Sequence, residues 1–160
     1  MITNLEKSVN AWYAARIVKI GAYLMERLTS GGIKYYSTKY VPNVLFIKCT
    51  DHYVDGLIEL YRGRIFFYRN AERTIPQPIS DKEMDNFILV TSASGEILNL
   101  GAVTSDFLNG DKVRVIAGPF KGAEGVIRRI KGDRRLIVSI DGVTAVATCY
   151  IRPELLEKVE

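Results

Sequence analysis

This 160-residue chain is nearly without histidine: His52, beside Asp51, is its single one. General acid–base catalysis therefore has few candidates, and His52 reads as a polar residue at a helix start. Cysteine is scarce as well. Cys49 and Cys149 lie far apart with no metal-type spacing, so both are expected as reduced thiols in buried strands of a cytosolic protein. No apolar run approaches the ~20 residues of a membrane-spanning helix, and residues 1–11 lack the basic-then-apolar layout of a secretory leader. A cytoplasmic protein with no membrane association is expected. There is no Walker-type phosphate loop, because Gly118, Gly122 and Gly125 sit between β-prone segments rather than between a strand and a helix. Carboxylates cluster only at Asp81, Glu83 and Asp85, which the dipole of a helix N-terminus explains. No catalytic residue, cofactor or metal is expected, and the chain is read as a binding protein rather than an enzyme.

What is present is enough for a folded core. Apolar residues make up 48% and charged residues 25%, which excludes a disordered or fibrous chain. The net charge of +4 is too small for tight nonspecific nucleic-acid binding by the whole surface. It is unevenly placed, however. Residues 128–135 carry five positive charges (Arg128, Arg129, Lys131, Arg134 and Arg135) against one negative, Asp133. Such a segment reads either as a solvated hairpin tip or as a contact point for phosphate or an acidic protein face.

The chain divides by pattern. Residues 11–17 read as an aromatic-rich strand, and residues 21–30 as a helix stopped by Gly31-Gly32. Residues 33–36 are a short β-prone stretch. Residues 40–50 hold the strongest strand of the first half, with Pro42 confined to its start or an edge. A second helix is predicted near 52–62, where Val54, Leu57, Ile58 and Tyr61 form one apolar stripe. Ile65–Tyr68 follow as a strand. After Pro76 and Pro78, Ser80-Asp81-Lys82-Glu83 is a capping box opening a third helix. The order is that of an α+β sandwich, an antiparallel sheet with helices packed against it, over residues 9–91. Residues 92–106 are small, polar and aperiodic and read as a linker, although Ile97, Leu98 and Leu100 leave room for docking. Residues 107–160 are strand and turn throughout, the pattern of a small all-β barrel that closes to remove its edges. Trp12, Tyr13, Tyr35, Tyr36, Tyr40, Phe46, Phe66, Phe67 and Tyr68 crowd the first domain, so part of this aromatic surface is expected to face solvent as a protein-binding patch.

Residues 110–127 resemble the KOW motif of transcription elongation factors and ribosomal proteins, an SH3-like barrel module, with Gly118, Pro119, Phe120, Lys121, Gly122 and Gly125 in place. Three further segments are similar to the NusG family of elongation factors: Trp12-Tyr13, Pro42–Ile47 in the Pro-Asn form of a specialised paralogue, and Pro78–Asp85. The four likenesses fall in family order across nearly the whole chain. Where that family has a longer basic stretch before the Pro-Asn strand, only Tyr36–Tyr40 is present, which again resembles a paralogue rather than a housekeeping factor.

The resemblance implies an N-terminal domain that binds the clamp helices of RNA polymerase through an apolar face, with Tyr40, Val44, Phe46, Trp12 and Tyr13 as the contact residues. It implies processive elongation or antitermination. A KOW domain would recruit a second partner, such as termination factor Rho or a small-subunit ribosomal protein, with weak or no direct nucleic-acid binding. Two rivals stand beside it: a ribosome-associated or RNA-binding KOW protein using the 128–135 tip, and an enzyme with an unrecognised site in the aromatic domain.

Overall fold

The computed structural model describes residues 9–159; most of the segment examined for a leader lies outside them. Chain packing separates two compact units. One comprises the chain to Ser37 together with Pro42–Asp81, and the other Thr38–Val41 together with the chain from Lys82 onward.

The first unit runs β1 (Ala11–Ile17), α1 (Gly21–Ser30), β2 (Lys34–Tyr36), β3 (Val44–Cys49), α2 (Asp51–Leu60), β4 (Ile65–Phe67). Its sheet has the order β2-β3-β1-β4 with every neighbour antiparallel. That is a pair of interleaved split β-α-β units. The stop of α1 and the place of Pro42 are the predicted ones; the cap of α2 and the left-handed Asn43 come from the structure. Gly31 closes α1, its amide bonding to Arg27 O. Thr50 caps α2, its hydroxyl accepting from the Tyr53 amide at 3.0 Å. Pro42 and Asn43 stand just outside β3, with Asn43 at φ 65°, a left-handed position that Asn tolerates.

Strand alternation decides the core. Tyr13, Ala15 and Ile17 of β1, Leu45, Ile47 and Cys49 of β3, and Ile65 and Phe67 of β4 share one face. They pack with Leu24 and Leu28 of α1 and Val54 and Leu57 of α2 in a single buried cluster. Both helices of the unit therefore cover the same face of its sheet.

The second unit holds most of α3 (Asp81–Ser92) and a six-stranded antiparallel sheet. Its strands are β5 (Leu98–Gly101), β6 (Lys112–Val115), β7 (Glu124–Ile130), β8 (Asp133–Ile140), β9 (Thr144–Tyr150) and β10 (Leu156–Lys158), in the order β10-β6-β7-β8-β9-β5. An α+β region followed by an all-β region is the fold class expected from the sequence. Two strands were not. Within the stretch expected as a linker, β5 pairs with β9, and the partly buried Leu98 and Leu100 pack on Ile137, Ala145 and Ala147. Beyond the short turn at Pro153–Leu155, β10 pairs with β6 and covers that edge of the sheet.

The KOW-type glycines act through two different constraints. Gly118 and Gly122 have φ of 89° and 94°, backbone that L side chains avoid. Gly125 has no such φ; a Cβ there would lie 2.2 Å from Ile137 O, so β7 and β8 approach each other only because the residue is glycine.

Candidate docking surfaces

The face of the first sheet turned away from α1 and α2 is ordered in three ranks by strand pairing. Lys34, Lys48 and Trp12 form the first rank, Tyr36, Phe46 and Ala14 the second, and Val44, Arg16 and Phe66 the third. Trp12, Val44 and Phe46 are thus brought together as expected, but not on the surface. Phe46 is 0% exposed, Trp12 2% and Val44 8%. The expectation of solvent-facing side chains at these three positions is corrected: alternation fixes which residues share a face but not whether that face meets water.

Tyr13 is corrected as well. It points to the opposite side of β1, inside the helix-covered core, with its ring 6.5 Å from Phe67 in an edge-on contact. Burial pushes its phenol pKa up, with the charge of Asp51 adding to the effect. Tyr40 lies in the second unit, half-buried. Its hydroxyl donates to Gly95 O at 3.4 Å, and its carbonyl accepts from Asn99 Nδ2 at 2.9 Å.

The exposed members of this face were missed as site residues. Phe66 is 44% exposed, and the Arg16 guanidinium stands 4.5 Å above its ring. The signal was available in Ile65-Phe66-Phe67, where burial of the two flanking residues forces the middle one outward. At the other end of the face, Lys34 Nζ lies 5.8 Å over the Trp12 ring, and Lys48 pairs with Asp81 at 3.4 Å. The face therefore exposes an aromatic–cation pair in its third rank, beside buried residues, with cations along the first rank.

A second surface is the β7–β8 hairpin. Lys131 and Gly132 join the strands with φ of 52° and 84°, both positive, as a type I′ turn requires. The five cations expected at one tip separate by role. Arg135 is corrected: it is 6% exposed, donating from Nε to Ile130 O at 3.0 Å and from Nη1 to Thr148 O at 3.1 Å, with Asp133 at 3.4 Å from Nη2. Arg128 is half-buried, its guanidinium 4.5 Å over the Phe107 ring. Arg129, Lys131 and Arg134 are exposed.

A third cluster ties α3 to the second sheet. Glu124 takes Lys82 at 2.8 Å and Arg114 at 2.6 Å, and Arg114 also takes Glu157 at 3.0 Å. The Glu124 amide donates to Asn86 Oδ1 at 3.1 Å. Bonding to Lys82 and then Arg114 holds the Glu124 carboxyl below the usual carboxylate range. One turn into α3, burial raises the Glu83 pKa, the Asp141 charge adds to the rise, and a bond from the Asp141 amide opposes it.

Among the described residues no group of three or more His, Cys, Asp or Glu could hold a metal ion, and no helix is long and apolar enough to cross a membrane. His52 is exposed at the first turn of α2, its amide donating to Asp51 Oδ1 at 2.7 Å.

Residues 109–141 match the family described as the KOW motif. The match spans β6, β7 and β8 with the glycines and the basic hairpin, so the KOW reading of the sequence is borne out. Crystal structures of the MjSpt4:Spt5 complex are similar in conformation B over 93% of this chain and 97% of that one, at 16% identity and a TM-score of 0.37. For conformation A the figures are 93%, 98%, 18% and 0.34. At those scores the likeness carries no argument about geometry. No curated protein matches the chain.

Proposed function

We propose that this chain is a NusG-type regulator of transcription elongation, a binding protein rather than an enzyme. The first unit docks on the clamp helices of RNA polymerase and promotes processive elongation or antitermination, while the KOW unit recruits a second partner, Rho or a small-subunit ribosomal protein. The observation that carries the reading is the KOW motif at 109–141 following an α+β unit whose sheet leaves Phe66 and Arg16 exposed. An exposed aromatic beside an exposed arginine suits a docking site, because a few well-placed aromatic and Arg side chains supply most of an interface's energy. In this reading Phe66 and Arg16 of the first unit make the contact, and the buried Trp12, Val44 and Phe46 hold the sheet that presents them.

The test is co-purification with RNA polymerase. Phe46→Ala is a poor probe, since removing a fully buried ring costs ~3–5 kcal/mol of stability. Phe66→Ala with Arg16→Ala changes two exposed side chains and should lower polymerase capture at least tenfold without changing the far-UV circular dichroism. Capture equal to the parent's would remove this face from the mechanism. The alternative reading, a ribosome-associated or RNA-binding KOW protein, draws on the exposed Arg129, Lys131 and Arg134.

A further inference from the structure

On the side of the first sheet that both helices cover, α1 and α2 leave a groove of about 310 Å³ between them. Its floor is apolar, made by the buried Leu24, Leu28 and Leu57. At one end Tyr23 of α1 meets Tyr61 just past α2 edge-on, ring centroids 6.4 Å apart. Two large apolar side chains stand out of the rims, Tyr23 at 56% exposure and Leu60 at 69%. Arg27 is the single charged residue among the described ones lining the groove, and no carboxylate among the described residues forms an ion pair with it. The dipole of α1 accounts for a cation in its last turn but not for one on the groove side. Burial raises the pKa of the Tyr53 phenol, the charges of Cys49 and Tyr61 add to the rise, and Arg27 opposes it, so the field of that cation reaches across the groove. Gly56 breaks a local rule. It stands inside α2, three residues after Tyr53 and four before Leu60, hence on the groove side. Glycine inside a helix destabilises it relative to alanine, and a Cβ at Gly56 would meet nothing within 4 Å, so no contact among the described residues demands glycine there.

From these features we infer that the α1–α2 groove docks an acidic amphipathic helix of a partner protein. Apolar surface continues past the groove onto Tyr23 and Leu60, further than a small ligand reaches. Both walls are helices whose backbone groups bond internally, so the groove has no strand edge to extend. The docked segment must satisfy its own backbone, which a helix does. Its apolar stripe fills the space above Leu24, Leu28 and Leu57, and the absent side chain of Gly56 lets its backbone come close. Carboxylates flanking that stripe meet Arg27, and then the exposed Arg62, which follows Tyr61 in the chain and is likewise without an ion pair among the described residues. Phe66 and Arg16 lie on the other side of the sheet, so the proposal is independent of the polymerase reading and its failure leaves that reading untouched.

The experiment titrates the full chain, labelled with nitrogen-15, with a peptide of three Leu-Glu-Glu-Leu-Leu-Glu-Ala repeats and follows the backbone amides by NMR. Saturable shifts should concentrate in α1, α2 and the turn after α2. The same peptide with lysine in place of glutamate should bind at least tenfold more weakly. Leu60→Ser should weaken binding of the glutamate peptide at least tenfold and Arg27→Gln at least fivefold, since both change exposed side chains at the contact. Gly56→Gln separates docking from folding: it should melt at or above the parent's temperature, because any side chain improves the helix, yet lose binding at least tenfold. Arg73→Gln, at an exposed cation elsewhere in the first unit, should bind as the parent does. Absence of saturable binding, equal binding of the lysine peptide, or shifts centred outside the two helices would overturn the proposal. So would parent-like binding by Leu60→Ser or Gly56→Gln, a Gly56→Gln protein that melts below the parent, or an equal loss in Arg73→Gln. Tighter binding of single-stranded DNA of matched charge at the same amides would overturn it too, by marking nucleic acid as the occupant.

Discussion

Gly125→Ala isolates the packing constraint at the centre of the KOW segment. The added Cβ would meet Ile137 O at 2.2 Å, with the Ile137 carbonyl carbon and Leu136 Cδ1 each at 3.1 Å. Ordinary contact begins at 3.4 Å, so the strands must part by 3.4 − 2.2 = 1.2 Å. The obstacle is backbone, which cannot rotate away as a side chain can. Parting the strands disturbs the β7–β8 ladder beside the Val126–Ile137 pair. One or two hydrogen bonds at ~1 kcal/mol each, plus ~1–3 kcal/mol of overpacking, give a cost of about 2–5 kcal/mol, centred near ~3.5 kcal/mol. Gly122→Ala is the comparison. Its Cβ would find Leu89 Cδ2 at 3.9 Å, ordinary contact, so only the left-handed φ of 94° is penalised, at ~1–2 kcal/mol. For a chain of this length 1 kcal/mol moves the melting temperature by about 2–4 °C. Gly125→Ala should therefore melt roughly 10 °C below the parent and Gly122→Ala roughly 4 °C below, followed by circular dichroism. A Gly125→Ala protein melting within 2 °C of the parent, or above Gly122→Ala, would falsify the close-approach argument (the threshold is about the shift that 1 kcal/mol produces).

Arg135→Met should destabilise the chain by about 3 kcal/mol in urea unfolding, because it strands the Ile130 and Thr148 carbonyls that the guanidinium now satisfies; a loss no larger than that of Arg134→Met would show that the two arginines do not differ in role. The two acids around α3 should bend the pH profile in opposite directions. Glu124 has a depressed folded pKa, so its contribution is present above the unfolded carboxylate value and is lost as pH falls through the folded one; Glu124→Gln should lower stability at neutral pH and flatten that acid limb. Glu83 has a raised folded pKa, so its ionised form costs stability at neutral pH and the cost is relieved as pH falls through the raised value; Glu83→Gln should melt higher than the parent at pH 7 and match it in acid. Parallel shifts in the two variants would contradict the assigned surroundings.

Local chemistry was legible in the sequence. The apolar stripe at Val54, Leu57 and Ile58 placed α2 to within two residues, and Gly31-Gly32 ended α1 where it ends. Gly118, Gly122 and Gly125 stand between β-prone segments in the sequence, and the structure assigns the first two to turns and the third to close approach. Short elements were not legible. β5 and β10 have four and three residues, too few for a period to register, and pairing with β9 and β6 makes them strands. The candidate contact residues came from the family resemblance alone, and that set paired Trp12 with the adjacent Tyr13, which strand alternation sends to the opposite face. Exposure, which decides which ring a partner can touch, depends on tertiary packing, and it selects Phe66.

The same reasoning explains why charge proved a poor guide to the basic hairpin until each arginine was placed. Five cations in eight residues suggest one electrostatic feature. Neighbouring residues on a strand point to opposite sides, so Arg128 and Arg135 occupy one side and Arg129 and Arg134 the other. On the first side a ring, two carbonyls and Asp133 absorb the charge. On the second side it is left to solvent. What a sequence presents as a run of like charges is, once folded, a structural layer beneath a free one, and only the free layer can be tested as a surface for a partner.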